Sequence, residues 1–358
     1  MAVTGHIRIV CCEQCGFVFN AAFDSTCVVY DVNYENDQTR SPAFHSHMDA
    51  MADRVLGMLP NAGGSVVEVG CGQGAFLTLL DSRAKMHGVR LALRGFDPAY
   101  RGGKVPEGVE IAVRFLDENA IIANGKPADV IVARHVIEHI PDPVGFLKQI
   151  HKAIGARANA RLVLETPCFS WIAKNGVIQD VFYEHVNYFT SDTLSGALMQ
   201  AGFGSCKVSH VFGGQYLWAE AVSDKYTAPE AVRHRSEEAK HVASNYGRQV
   251  VSEVERWQKL LADGRPTAVW GGGAKGVTFI NLVDPECSLI ACVVDMNPRK
   301  QNAWIASTAH PIVSPKDAQA LGVSRILVMN NNYTNEIQAY IASQNWDAAV
   351  IEAGKSAR

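Results

Sequence analysis

The sequence predicts an α/β protein with two Rossmann-like units and a short N-terminal arm, and three observations carry that prediction. Two strand–glycine-loop–helix openings stand well apart, one through Gly70, Gly72 and Gly74 and the other through Gly271, Gly273 and Gly276. After each, short apolar strands alternate with helical patterns, which implies mostly parallel sheets covered on both faces. The chain has 358 residues, 47% apolar and 19% charged, a core-forming composition long enough for two or three domains.

Residues 1–45 read as an irregular arm. Helical spacing begins at His45 and runs to Leu59, where Pro60-Asn61-Ala62-Gly63-Gly64 breaks it. Strands are expected at 65–69, 91–96, 109–114, 130–133 and 161–165, with helices at 75–84 and 143–154. Together residues 46–223 make the first domain. A charged helical linker fills 224–263 and is closed by Asp263-Gly264-Arg265-Pro266. The second unit, 264–358, has expected strands at 267–270, 289–294, 325–329 and 348–351, with a helix from near Val277. It looks shorter than a full six-stranded dinucleotide fold.

The net charge is -3 and no basic stripe stands out, which argues against a nucleic-acid partner. No apolar run reaches membrane-span length, and no signal-peptide pattern opens the chain. Nine scattered cysteines, an odd number, suit the cytoplasm better than a disulfide scaffold.

In the first loop, Glu68 comes near the end of a strand and Gly70-x-Gly72-x-Gly74 turns into a helix. Glycines permit positive φ and close approach of a ligand, and the helix N-terminus offers unpaired N–H groups. Dinucleotide sites use G-x-G-x-x-G. The G-x-G-x-G spacing after an acid resembles motif I of the class I methyltransferases, whose cofactor, S-adenosylmethionine, has no pyrophosphate. Asp97, at the end of the next strand, is placed for the ribose hydroxyls. An ordinary βα turn and a helix N-cap are the plain alternatives. The segment Arg134–Ile140 is similar to the one after strand four in many class I methyltransferases, which lines the methionine side of the cofactor, so the resemblance implies Arg134 or His135 as facing the cofactor or the substrate. His139 reads as structural. Asp117 and Glu118 follow the third strand, where a polar residue often meets adenine.

The segment Tyr183-Glu184-His185-Val186-Asn187-Tyr188 is expected at the ligand-binding end of the sheet. With Ser41-Pro42-Ala43-Phe44, Gly271–Gly276, Asp295-Met296-Asn297-Pro298 and Tyr333-Thr334-Asn335, it resembles the three-domain sugar C-methyltransferases of deoxysugar and polysaccharide biosynthesis, over nearly the whole chain. The resemblance implies a nucleotide-linked 4-keto sugar, methylated on carbon beside the ketone. It implies His185 as the base, Glu184 and Tyr183 beside it as catalytic groups, and Asn187, Tyr188 and Lys275 as substrate contacts. The C-terminal domain would close over that substrate. The family often carries Tyr-His-Glu-His, whereas here Phe182 and Tyr183 take the first two places, which leaves an O- or N-acceptor open. A charged pair opening a helix is the plain reading of Glu184-His185.

The family holds a structural zinc with two C-x-x-C pairs, and a four-cysteine site requires both. Only Cys12-Glu13-Gln14-Cys15 is present, beside Cys11, with His6 and Cys27 nearby. No metal is expected. The second loop, Gly271-x-Gly273-x-x-Gly276 with Asp295 after it, matches the dinucleotide fingerprint, so an NAD(P)-dependent oxidoreductase is the competing reading. Lys275 inside that loop suggests a phosphate contact or a solvated lysine.

Overall fold

A computed structural model of the chain describes residues 4–30, 41–60, 63–116, 122–123, 126–155, 160–223 and 236–354. Asp117 and Glu118 lie outside the described residues. The chain forms two compact units. One contains Arg8–Phe169 and Glu184–Ala239, the other Met1–Ile7, Ser170–Tyr183 and Lys240–Arg358.

The larger unit is built on a seven-stranded sheet in the order Ser205–Val211, Tyr216–Val222, Arg161–Pro167, Val130–Arg134, Ser65–Val69, Ala92–Phe96, Val109–Ala112. The last five are parallel, and the first two add an antiparallel hairpin at one edge. Val66, Val67, Ile131, Val132, Leu162 and Val163 are fully buried, as strands covered on both faces require. Ser65–Val69 is first in sequence and pairs on both sides, with Ala92–Phe96 and Val130–Arg134. The strand order therefore reverses beside it. In open α/β sheets ligands bind at that point, outside the C-terminal strand ends.

The first helix, Pro42–Leu56, starts three residues before the hydrophobic pattern does. Ser41 caps it by accepting from Phe44 N, and Pro42 fits the first turn. Helix Pro143–Ile154 is capped the same way by Asp142 and buries Leu147, Ile150 and Ile154. The hairpin at the edge escaped the sequence reading because the outer strand, Ser205–Val211, is largely exposed and carries polar residues.

The arm is not irregular. Ile9–Cys11 and Val18–Asn20 pair as a hairpin, and Asn187–Tyr188 adds a third strand to it. Its Cys12–Cys15 turn closes through Gly16 N to Cys12 O at 2.9 Å.

The smaller unit has a six-stranded sheet in the order Ala303–Trp304, Pro311–Val313, Cys292–Val294, Thr267–Trp270, Arg325–Val328, Ala349–Glu352. All pairings are parallel except that of the two-residue edge strand. The short strands Ala303–Trp304 and Pro311–Val313 account for the sheet being larger than expected. The helix after the loop starts at Ala274, not near Val277.

The division is not linear in sequence. Residues 170–183 were expected inside the first domain but pack with the second. Ile178 is 1% exposed in a core with Trp257, Phe279 and Leu327. Gln179 donates from Nε2 to Met329 O at 3.1 Å and Ala353 O at 3.0 Å, just past the ends of two strands of the small sheet.

Candidate active site

Gly70, Gly72 and Gly74 all have positive φ, at 69°, 56° and 79°, so the loop needs residues without a Cβ penalty. Gly70 N donates to Phe96 O at 2.8 Å, and Gly72 N to Asp97 Oδ2 at 2.7 Å. Asp97 Oδ1 accepts from Ala99 N at 2.7 Å. The acid is thus held rigidly beside the loop, with lone pairs still available for hydroxyl donors. A Cβ on Gly70 would fall 2.3 Å from Val136, whereas one on Gly72 would meet nothing within 4 Å. The loop is tight beneath and open above, the shape a bound group needs.

Glu68 is 3% exposed, and its Oε2 has no hydrogen-bond partner. Burial, reinforced by the Asp97 and Glu165 charges and opposed by Arg134, pushes its carboxyl up to about 8. A buried acid with an unused oxygen beside an open glycine loop fits a cationic cofactor such as S-adenosylmethionine.

The end of the fourth sheet strand carries a dense histidine and carboxylate cluster. His135 has φ of 54°, an uncommon conformation for a non-glycine residue and frequent at functional sites. Its N donates to Glu165 O at 2.7 Å. Arg134 was expected to face the cofactor or substrate. Instead its Nε donates to Glu165 Oε2 at 2.7 Å, and its guanidinium lies 4.4 Å from the Phe76 ring centroid. Its charge is committed to a buried ion pair, so it acts by fixing Glu165. Burial alone would raise the Glu165 carboxyl, but Arg134, the hydrogen bond from His47 and the charge of His135 hold it well below the usual range.

The central motif docks on this cluster through backbone and amide bonds. Val186 N donates to Glu138 O at 2.8 Å, and Val186 O accepts from Asn20 N at 2.8 Å. Asn187 Nδ2 donates to Ile140 O at 2.7 Å and Ile137 O at 3.3 Å. His139 Nδ1 lies 2.9 Å from Glu184 O and 2.8 Å from Tyr30 Oη. The result is a buried His185, 5% exposed, whose ring meets that of His139 with centroids 4.9 Å apart and planes at 77°.

Asn187 and Tyr188, expected as substrate contacts, are 3% and 2% exposed. Asn187 spends its amide on the carbonyls above, and Tyr188 packs edge-on against Phe169 at 5.8 Å. Both side chains are thus engaged within the fold. Glu184 is half-buried. In the smaller unit Tyr183 packs tightly over Gly5, where a Cβ would fall 2.1 Å from its ring.

Among the described residues, the one group of three His, Cys, Asp or Glu side chains with ligand atoms within 4.8 Å of one another is Glu138, His139 and His185. His6 and Cys27 do not complete a set of three with Cys12 and Cys15, and all nine cysteines are free thiols. The sequence reading passed over His47, which lies on a helical face among apolar residues with no local signal. It also gave no role to Glu138, whose burial depends on the later docking of the Glu184–Tyr188 segment.

The second loop shares the first one's backbone device. Gly271 N donates to Val294 O at 2.7 Å, Gly272 N to Asp295 Oδ2 at 2.8 Å, and Asn297 N to Asp295 Oδ1 at 2.8 Å. Lys275, expected to hold a phosphate, is instead paired with buried Asp180 at 2.5 Å. The chain's own Ile178-Gln179-Asp180 turn lies at the strand ends where a dinucleotide would be expected. That occupancy speaks against the NAD(P) reading.

Residues 44–205 match the family described as a methyltransferase domain, and residues 238–352 match the C-methyltransferase C-terminal domain. The chain is 25% identical over 311 residues to C-methyltransferase NovU of Streptomyces niveus, across 81% of this chain and 72% of that protein. Among solved structures, it is similar to N,N-8-amino-8-demethyl-D-riboflavin dimethyltransferase from Streptomyces davawensis. That match has 22% identity and a TM-score of 0.39, over 51% of this chain and 56% of the other. Human N-acetylserotonin methyltransferase in complex with its S-adenosylmethionine matches at 15% identity and a TM-score of 0.38, over 51% and 55%. The chain thus spans little more than half the length of either. No helix among the described residues is long and apolar enough to cross a membrane.

Proposed function

Since this chain is an S-adenosylmethionine-dependent methyltransferase that joins a methyltransferase domain to the C-terminal domain of the C-methyltransferases, we propose that it methylates the carbon beside the ketone of a nucleotide-linked keto sugar, with His185 as the base. The observation that carries this reading is the buried His185, pinned at the ligand-binding end of the methyltransferase sheet.

A C–H beside a carbonyl is a weak acid and needs a positioned base. His185 takes that proton, and the C–H electron pair becomes an enolate with its charge on the keto oxygen. When bound, the cofactor supplies an electrophilic methyl on a sulfonium. That methyl would end on the enolate carbon, with the C-methyl ketone and S-adenosylhomocysteine as products. His185 then releases its proton to solvent. Gly70, Gly72, Gly74, Glu68 and Asp97 hold the cofactor. Glu184 is assigned to the keto oxygen or to the orientation of the histidine. Alignment of this kind is worth about 7–11 kcal/mol of barrier.

An O- or N-acceptor would use the same base, so exchange chemistry separates the readings. With S-adenosylhomocysteine bound, a nucleotide-linked 4-keto sugar should take up solvent deuterium at the carbon beside the ketone. His185→Asn should abolish both exchange and turnover, with S-adenosylhomocysteine affinity within about twofold of wild type, since base catalysis contributes about 10²–10⁴-fold. Turnover that survives this substitution would exclude His185 as base. Calorimetric binding of NAD(P)H without binding of S-adenosylhomocysteine would revive the oxidoreductase reading.

A further inference from the structure

We infer that Glu138 is the positioning residue that carries the counter-charge for His185 when it holds the substrate's proton, an assignment that rests on His185 being the base. An imidazole that accepts a proton at a buried position needs a charge partner, because an isolated buried cation is strongly disfavoured. Among the described residues of this cluster, the charged groups are few. Arg134 adds positive charge, and Glu165 is already committed to Arg134 and His47. His135 and His139 are imidazoles themselves, and the Glu184 carboxylate is half-buried.

Among the described residues, Glu138 is the buried carboxylate that stands beside His185. It is 1% exposed, its Oε2 accepts from Thr166 Oγ1 at 3.0 Å, and its Oε1 accepts no hydrogen bond. His135 Nδ1 stands 3.5 Å from that oxygen. One polar atom each from Glu138, His139 and His185 lie within 4.8 Å of one another. The backbone adds to the arrangement, since Val186 N binds Glu138 O and ties the residue after the base to the residue carrying the charge.

His139 completes the set. Its Nδ1 lies between the Glu184 carbonyl, at 2.9 Å, and the Tyr30 hydroxyl, at 2.8 Å, which hold the ring edge-on to His185. An imidazole and a carboxylate thus flank His185, and the carboxylate follows the logic by which a buried acid stabilises an imidazolium in hydrolase triads.

The test uses the full chain with S-adenosylhomocysteine bound and isotope-labelled histidine. The His185 resonance is assigned by its loss in His185→Asn. Glu138→Gln keeps the shape and removes the charge. The expected result is a fall of about one unit or more in the His185 titration midpoint, with S-adenosylhomocysteine affinity within twofold. Glu138→Asp should restore part of the shift. The acid limb of the pH–rate profile with a nucleotide-linked 4-keto sugar should move by the same amount. A midpoint unmoved in Glu138→Gln, with His185→Asn inactive, overturns the role of Glu138 alone. Turnover by His185→Asn overturns the base and, with it, this use of Glu138. One tightly held zinc per dialysed chain, lost in Glu138→Gln, would make the cluster a metal centre and overturn the proposal.

Discussion

The two glycine loops hold themselves by the same bond and differ in what surrounds it. In each, an amide of the loop reaches the carboxylate that ends the next strand, Gly72 to Asp97 at 2.7 Å and Gly272 to Asp295 at 2.8 Å. In the first, the strand delivers buried Glu68, and the space above Gly72 is open. In the second, the strand ends in Trp270, Lys275 is paired with Asp180, and Gly276 is pressed onto Gly271 O. The shared bond is a way to close a tight βα turn beside an acid. What a loop can hold is decided by the side chains before it and by whether its own chain already covers it.

The largest expected effect separates the structural glycine from the ligand-facing loop. A Cβ on Gly276 would fall 2.0 Å from the Gly271 carbonyl, a backbone atom that cannot swing away. Gly276→Ala should destabilise the smaller unit by about 3 kcal/mol or more, within the range for overpacked sites. Chemical denaturation should show the loss, while S-adenosylhomocysteine binding at the first loop survives at low denaturant. If both are lost together, the two units do not fold independently.

Next comes the acid at each loop. Asp97→Ala removes the acceptor that orders Gly72 and the site proposed for the ribose hydroxyls. Calorimetry should show S-adenosylhomocysteine binding weakened by about 100-fold, equivalent to roughly 2.7 kcal/mol. Asp295→Ala should change that affinity less than about twofold. Equal losses would mean that both loops contribute to one cofactor site.

The smallest effect tests Glu68, which has no counterpart in the second loop. Its folded carboxyl titrates near 8, above the ordinary value of 4.5. The unfolded chain therefore loses this proton first as pH rises. The contribution to stability is fully present below 4.5 and is lost as pH rises through about 8. Glu68→Gln should remove that loss, so the variant gains on the order of 1 kcal/mol relative to wild type between pH 6 and pH 9. Parallel stability–pH curves for the two proteins, measured by urea denaturation, would show that Glu68 is ionised in the folded state.

The contrast between the loops also marks how far residue order carries. The spacing of Gly70, Gly72 and Gly74 after Glu68 was legible, because positive φ at fixed positions is a local demand on residue type. The strands at 65–69 and 267–270 and the helix at 143–154 were legible for the same reason, through periodicity and capping residues. Asn187 and Tyr188 were picked out, yet as ligand contacts. Their amide and ring go to carbonyls and aromatics from distant segments, which no local pattern announces. Arg134 was placed at the right strand end, but its partner Glu165 stands 31 residues away.

Residue order alone specifies the α/β class, the two glycine loops, their different spacing and the presence of a Glu-His motif. These follow from backbone conformation and hydrophobic period, which act over a few residues. Folding in three dimensions set the rest: Ile178-Gln179-Asp180 covers the second sheet's strand ends, Lys275 is neutralised, and Glu138 and His139 meet His185. Those outcomes depend on which distant segments desolvate one another, and burial and charge pairing exist only once the chain has closed.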